Sequence, residues 1–250
     1  MNNPCKILVN SIPKSGTHLM MQLVQGIPGM TIAASWIHPE EKLSLIKEGI
    51  FAPAHLPYSP SAEEEYIRKN NIKIILVTRD LRDNVVSLVH FVMRNQYNHP
   101  YNPYLEKGLH SHEDRLMTMI KGAKVDDPLY GGPLIVQNIR GYSIDVMKWL
   151  DYEHVCWVKF EDLAGDEKTK HNTLLRIVDH LWDGLQELNL TKEEIVEKML
   201  TNVNPGTSAT FRKGSIGDWR NDFTPEHKRV FKEVAGDLLI RLGYEKDYNW

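Results

Sequence analysis

Two cysteines in 250 residues cannot support a disulfide-stapled scaffold. Cys5 and Cys156 also fall on different apolar segments, so both are expected as buried, reduced thiols of an intracellular chain. No apolar run reaches the roughly 18 residues that a bilayer span requires. No charged stretch followed by an apolar one opens the chain, so neither a membrane span nor a signal peptide is expected and the reading is cytoplasmic. Charge of one sign is lacking too: 30 Lys and Arg stand against 33 Asp and Glu, a net charge of −3. That argues against a nucleic-acid partner held by a global basic field, while a local anion site stays open. Internal repeats, low-complexity tracts and linkers are missing, which points to one domain, 1–250. What is present, 42% hydrophobic and 25% charged residues, is the composition of a globular protein with a large core.

Short apolar, β-branched runs alternate with amphipathic patterns. Lys6–Asn10 reads as a buried strand followed by a helix over Thr17–Gln25, and Phe51–Leu56 as a weaker strand followed by an acidic helix over Ser61–Asn70. Lys73–Arg79 is the clearest strand, with Asp80–Arg94 helical behind it; His154–Phe160 is the next, followed by a helix over Lys168–Trp182. Strand–helix alternation of this kind implies a parallel sheet flanked by helices, an α/β fold. The middle reads as loops at Asn95–Tyr104 and Asp126–Pro133, with helices near Tyr104–Lys121 and Ile135–Leu150. Helices are expected at Lys192–Leu200 and Pro225–Leu242, around a Gly-rich segment, Asn204–Thr224.

Three places carry chemistry. Pro13-Lys14-Ser15-Gly16-Thr17 lies between the first strand and first helix, where free backbone N–H groups and the helix dipole favour an anion. Gly16 allows close approach, and Lys14, Ser15 and Thr17 add donors; the bland reading is a capped helix with a solvated lysine. A Walker A loop is absent, because Lys14 precedes the Ser-Gly pair and Ser11 stands where that motif has glycine. At the end of the Lys73 strand, Arg79 can hold a phosphate in a fork and Ser87 can add a hydroxyl, the bland reading being an Arg79–Asp83 ion pair. The third place is Arg212-Lys213-Gly214-Ser215-Ile216-Gly217-Asp218-Trp219-Arg220-Asn221, two cations and two glycines suited to wrapping an anion, with Trp219 as a packing anchor. Thr224 and Pro225 then read as N-cap and first residue of the last helix.

Together these segments resemble the cytosolic sulfotransferase family, users of 3′-phosphoadenylyl sulfate (PAPS). Pro13–Thr17 matches its PKSGT loop, Arg79 and Ser87 match its Arg and the Ser eight residues on, and Arg212–Thr224 matches its RKGxxGDWKNxFT segment with Arg220 for Lys. His55-Leu56-Pro57 looks like its HLP, which contains the catalytic histidine. The resemblance implies a P-loop-like α/β fold in a single domain and a sulfuryl transfer from PAPS to an acceptor, most simply a hydroxyl of a small molecule, leaving adenosine 3′,5′-bisphosphate (PAP). It implies that Lys14 stabilises the leaving phosphate and that Ser15, Gly16, Thr17 and His18 hold the 5′ end. It implies that Arg79, Ser87, Arg212, Lys213 and Gly214 hold the 3′-phosphate. Phe160 stands where the family has a tyrosine beside adenine, and His55 becomes the general base, a role suited to an unperturbed imidazole near pKa ~6.5.

There are departures. The family's KTHLP reads Pro53-Ala54-His55-Leu56-Pro57, so Pro53 stands where the lysine would be; Leu19 replaces the aromatic that stacks on adenine, and Asn202–Phe211 has no clean counterpart of TSFxxM. The family's dimer motif reads Arg220…Thr224-Pro225…Arg229, which does not match and leaves the oligomeric state open. Trp36, Phe91, Tyr97, Tyr101, Tyr104 and Tyr130 are candidates for an acceptor pocket. The 11 histidines invite a metal reading, but His110-Ser111-His112-Glu113 lacks HExxH spacing and reads as a solvated face, and His90 as a packed histidine, so no metal is expected. The alternatives are a P-loop nucleotide phosphotransferase, which calls for a Walker A loop and a Mg²⁺-binding carboxylate at a strand end, and a nucleotide-binding protein without catalysis.

Overall fold

A computed structural model describes residues 5–95, 97–130, 132–207 and 214–250. In chain order the strands and helices begin with β1 (Lys6–Ser11), α1 (Thr17–Gln25), β2 (Thr31–Ile32), β3 (Ile50–Ala54), β4 (Lys73–Thr78) and α2 (Leu81–Arg94). Next come α3 (Asn102–Lys107), α4 (His112–Lys121), β5 (Ala123–Asp127), β6 (Gly132–Val136), α5 (Ile139–Met147) and β7 (Val155–Lys159). The chain finishes with α6 (Phe160–Ala164), α7 (Glu167–Leu185), α8 (Lys192–Thr201), α9 (Trp219–Asp222) and α10 (Pro225–Arg241). Among the described residues no helix is long and apolar enough to cross a membrane.

The chain divides into two compact units, 1–79 with 145–214, and 80–144 with 215–250. The first holds a parallel five-stranded sheet in the order β2-β3-β1-β4-β7. Its central strands are buried on both faces, which is why KILVNS and KIILVT are near-continuous apolar runs rather than alternating ones. Helices α1, α7 and α8 cover one face, with Met20, Leu23, Leu174, Ile177, Leu181 and Met199 packed on Ile7, Val9, Ile75 and Val77. Both thiols lie here, buried as expected and outside any disulfide, and burial pushes each up to about 11, far from a reactive thiolate.

The second unit is mainly helical, α4 packing against α2 and α10. Asp80 caps α2 and grips the buried Arg82 in a fork (Nε–Oδ1 2.9 Å, Nη2–Oδ2 2.7 Å). The Arg82 guanidinium lies 3.9 Å from the ring centre of Trp219 and 4.4 Å from that of Trp250, so Trp219 is the packing anchor expected. Thr224 and Pro225 open α10 as N-cap and first residue, with His227 completing a capping box.

Two expectations need correction. The 126–133 stretch is a loop only in its middle, where Pro128–Tyr130 makes a 3₁₀ turn: its ends belong to Ala123–Asp127 and Gly132–Val136, which pair antiparallel, and the apolar residues given to a helix from Ile135 belong partly to β6. The helix expected over 104–121 is two, because Gly108 ends α3 and Ser111 starts α4 afresh by accepting from the Asp114 N–H. The acidic stretch after β3 is helical as expected and winds as a π-helix, Ala62–Arg68.

Candidate active site

Among the described residues of the first unit, Lys14 to Thr17, His55 and Arg79 gather at the carboxyl ends of its strands, beside β1, where the sheet is extended by β3 on one side and β4 on the other. That is where open parallel sheets bind ligands. The turn from β1 to α1 runs through two left-handed residues, Lys14 at φ 70° and Gly16 at φ 93°. A lysine in that region costs on the order of 1–3 kcal/mol, strain of the kind that clusters at ligand-gripping sites. At Gly16 the backbone sign and the space agree, since a Cβ there would stand 2.5 Å from Phe160 Cδ2. Gly16 is also the N-cap of α1. No side chain caps this end and no acid lies in its first turn, so the positive end of the helix is left for an anion.

His55 follows β3. Parallel pairing sets Asn10 opposite Ala54, so the end of β1 aligns with the start of the His55 turn. Asn10 reads the Leu56 backbone in both directions, Nδ2 donating to Leu56 O (3.0 Å) and Oδ1 accepting from Leu56 N (2.8 Å), and the Trp149 indole donates to the same carbonyl (3.0 Å). With the following residue held, His55 Nδ1 lies 2.8 Å from the Ser11 carbonyl oxygen. A carbonyl only accepts, so Nδ1 carries the proton and Nε2 presents its lone pair. Ser11 Oγ, 3.2 Å from the same nitrogen, is 2.7 Å from Thr17 Oγ1 and so links the histidine to the anion turn.

The expected unperturbed imidazole is a correction. Burial is the largest influence on His55 and the charges of Lys14 and His18 act in the same direction; against the Ser11 hydrogen bond they hold it down to about 4. His18 is also lowered, by burial first and Lys14 second. Trp36, 37% exposed, stands between them, its ring 5.0 Å from His55 and 6.0 Å from His18.

Arg79, at the end of β4, is buried, donates to the Lys14 carbonyl at 3.4 Å and lies 4.6 Å from the Phe160 ring centre. Phe160 is the first residue of α6 rather than the last of a strand, and its ring forms the floor under Gly16. Ser15 and Thr17 are buried, and Leu19 packs on the edge of the core instead of standing as an open platform. Lys14 to Leu19, His55, Arg79 and Phe160 thus belong to one unit. Gly214 keeps a left-handed backbone at φ 65°. Ser87 lies on α2 in the second unit. Arg212 and Lys213 fall outside the described residues.

In the second unit the segment after Gly214 is anchored on α2, the Asp83 carboxylate accepting from the Gly217 N–H (2.7 Å) and the Trp219 N–H (3.0 Å). Of the pocket candidates, Tyr101 is core, whereas Phe91 stacks with Tyr97 and Tyr104 meets Tyr130 edge-on. Asn10, Ser11 and the setting of Trp36 escaped the sequence reading. Two polar residues closing an otherwise apolar buried strand were the signal available.

A glycine-hinged turn after the first strand, a histidine after one neighbouring strand and an arginine after the other meet at the carboxyl end of a parallel α/β sheet. The family model for the sulfotransferase domain matches residues 4–243, and the chain belongs to that family. Cytosolic sulfotransferase 5 of Arabidopsis thaliana is 27% identical over 194 residues, 72% of this chain and 55% of the relative, so the chain spans little more than half of that protein. Sulfotransferase 6B1 of Pan troglodytes is 24% identical over 262 residues, 96% of this chain and 80% of the relative. Among solved structures, a mouse sulfotransferase complexed with PAP shares the fold at a TM-score of 0.67, with 21% identity, over 94% of this chain and 84% of that one. Retinol dehydratase in complex with androsterone and PAP does so at 0.60, with 17% identity, over 95% and 81%.

Proposed function

We propose that the chain, acting as one domain over 1–250, is a cytoplasmic sulfotransferase moving a sulfuryl group from PAPS to a hydroxyl of a small molecule. The observation that carries this reading is the His55 Nδ1–Ser11 carbonyl contact at 2.8 Å, which leaves Nε2 as the unprotonated ring nitrogen of a histidine linked through Ser11 to the turn before α1. The donor fits what is there: a left-handed glycine with its Cβ position closed by Phe160, an uncapped helix end, and Lys14. When bound, PAPS supplies the activated sulfuryl group. The residues do the rest. His55 Nε2 takes the acceptor's proton, the Nδ1–H bond to Ser11 keeps the ring oriented as charge forms on it, and Lys14 with the first-turn amides of α1 stabilises negative charge on the phosphate oxygen that leaves.

The 5′ end would be held by Ser15, Gly16, Thr17 and His18. The 3′-phosphate would be held by Arg79, Ser87, Arg212, Lys213 and Gly214, with Leu19 and Phe160 on the adenine side and Trp36 bordering the acceptor. The phosphotransferase alternative calls for a carboxylate at a strand end, and Asp80 after β4 is committed to Arg82. Calorimetry with PAPS and adenylyl sulfate tests the donor. Charge-assisted bonds contribute about 1.5–3 kcal/mol, so Arg212→Ala should weaken PAPS roughly 10- to 100-fold and adenylyl sulfate far less. Equal losses would remove Arg212 from the 3′-phosphate, and absence of PAPS binding by the parent chain would end the reading.

A further inference from the structure

The second unit brings together three side chains far apart in sequence. His90 lies in α2, His112 is the first residue of α4 and Asp222 the last of α9, and α2 packs against both of the other helices. His112 Nε2 is 2.9 Å from Asp222 Oδ1, the rings of His90 and His112 are 5.3 Å apart and inclined at 35°, and one ligand atom from each residue lies within 4.8 Å of the other two. His112, read from sequence as part of a solvated face, is thus one corner of a polar triangle. We propose that His90, His112 and Asp222 form a binding site for a divalent ion of the zinc class.

Two imidazoles and one carboxylate are a donor set zinc accepts, with bonds of about 2.0–2.2 Å to nitrogen and oxygen. Ligand atoms on a tetrahedral ion then stand roughly 3.3 Å apart, so the His112–Asp222 edge is nearly set and the widest edge closes by about 1.5 Å through side-chain rotation. All three residues are half-buried, which leaves room for water to complete the coordination. The N-terminal end of α4 would by itself oppose a cation, but Glu113 and Asp114 in its first turn offset that field. The mixed nitrogen and oxygen donors disfavour Mg²⁺ and Ca²⁺, which select oxygen. An ion here would tie α9, and so the segment running from Gly214, to α2 and α4. None of the three residues belongs to the groups assigned to donor or acceptor.

The test uses the full chain freed of metal by chelation. Titration with Zn²⁺ against a competing chromophore should give one equivalent bound at micromolar affinity or tighter. Loss of an outer-shell partner lowers metal affinity 10- to 100-fold, so His90→Asn, His112→Asn and Asp222→Asn should each cost at least about 100-fold. His110→Asn, two residues from His112, should leave affinity intact. In the parent chain, Zn²⁺ should shift the ring resonances of His90 and His112 and not those of His110, a reading that holds even if a variant fails to fold. No stoichiometric binding, ring shifts elsewhere, or affinity undiminished in all three variants would overturn the site.

Discussion

A histidine proposed to accept a proton should be found without one. Burial and the neighbouring Lys14 and His18 bring His55 from the ordinary imidazole value down to about 4, a difference of about 3 kcal/mol in favour of the neutral form. At pH 5.5 that leaves about 97% of His55 neutral, against about 9% for an unperturbed ring. Histidine-selective NMR of the free protein, with the resonance assigned by its loss in His55→Asn, measures this directly: the midpoint should lie near 4 and the tautomer should be Nδ1–H. PAP should move the midpoint upward, because phosphate charge beside the ring offsets Lys14. Stability follows the same linkage. Above pH ~6.5 the folded and unfolded chains hold His55 in the same state, and below it the unfolded chain takes up the proton first, so stability falls between about 6.5 and 4. His180, also held down to about 4 by burial with Lys73 second, adds to the loss in the same window. A ring titrating near 6.5 in the free protein, or an Nε2–H tautomer, would refute the argument from Ser11 and Lys14.

On the proposed mechanism Lys14→Ala should lower kcat far more than it weakens PAPS binding, since the charge would act mainly as the S–O bond breaks, and Lys14→Arg should rescue poorly; single-turnover kinetics beside calorimetry separate the two effects. Gly16→Ala should destabilise the fold by about 1–3 kcal/mol, and adding Phe160→Ala should recover the steric part but not the backbone part, read from denaturant midpoints in a double-mutant cycle. On the proposed reading turnover should survive chelation, since Lys14 and the α1 terminus would carry the leaving-group charge and an ion at His90, His112 and Asp222 would lie outside that chemistry; activity abolished by EDTA and restored by Mg²⁺ would favour phosphoryl transfer instead.

Local signals were read well where one segment contains its own explanation. α1 spans the residues expected, because a buried strand, a Lys-Ser-Gly turn and an amphipathic run follow one another. The 123–136 hairpin was missed because AKVDD offers little apolar alternation and Asp-Pro with paired glycines reads equally well as open loop. At the site, Gly16 and Lys14 were legible as types. The tautomer of His55 depends on Asn10 lying opposite Ala54, a pairing some 40 residues apart that no local pattern encodes. The depressed His55 pKa was illegible for the same reason, since burial is a property of the assembled sheet end. The His90–His112–Asp222 triangle needs three helices in register, whereas the sequence offered only the neighbours of each histidine.

The order in which the first unit is written along the chain has a consequence for how it is made. Ile74 of β4 pairs with Val155 of β7, about 80 residues later, and the helices α7 and α8 that cover the sheet come later still. On the ribosome, β1, β3 and β4 emerge with only α1 available to cover that face, and a long intervening stretch must be synthesised before α7 and α8 arrive. At roughly 5–20 residues per second that interval is several seconds. Closing so long a loop is entropically slow, and the exposed strands resemble the surfaces that chaperones hold. Nascent chains arrested before α7 should therefore be bound by a holdase and cleaved readily by protease, while chains arrested beyond α8 should resist both.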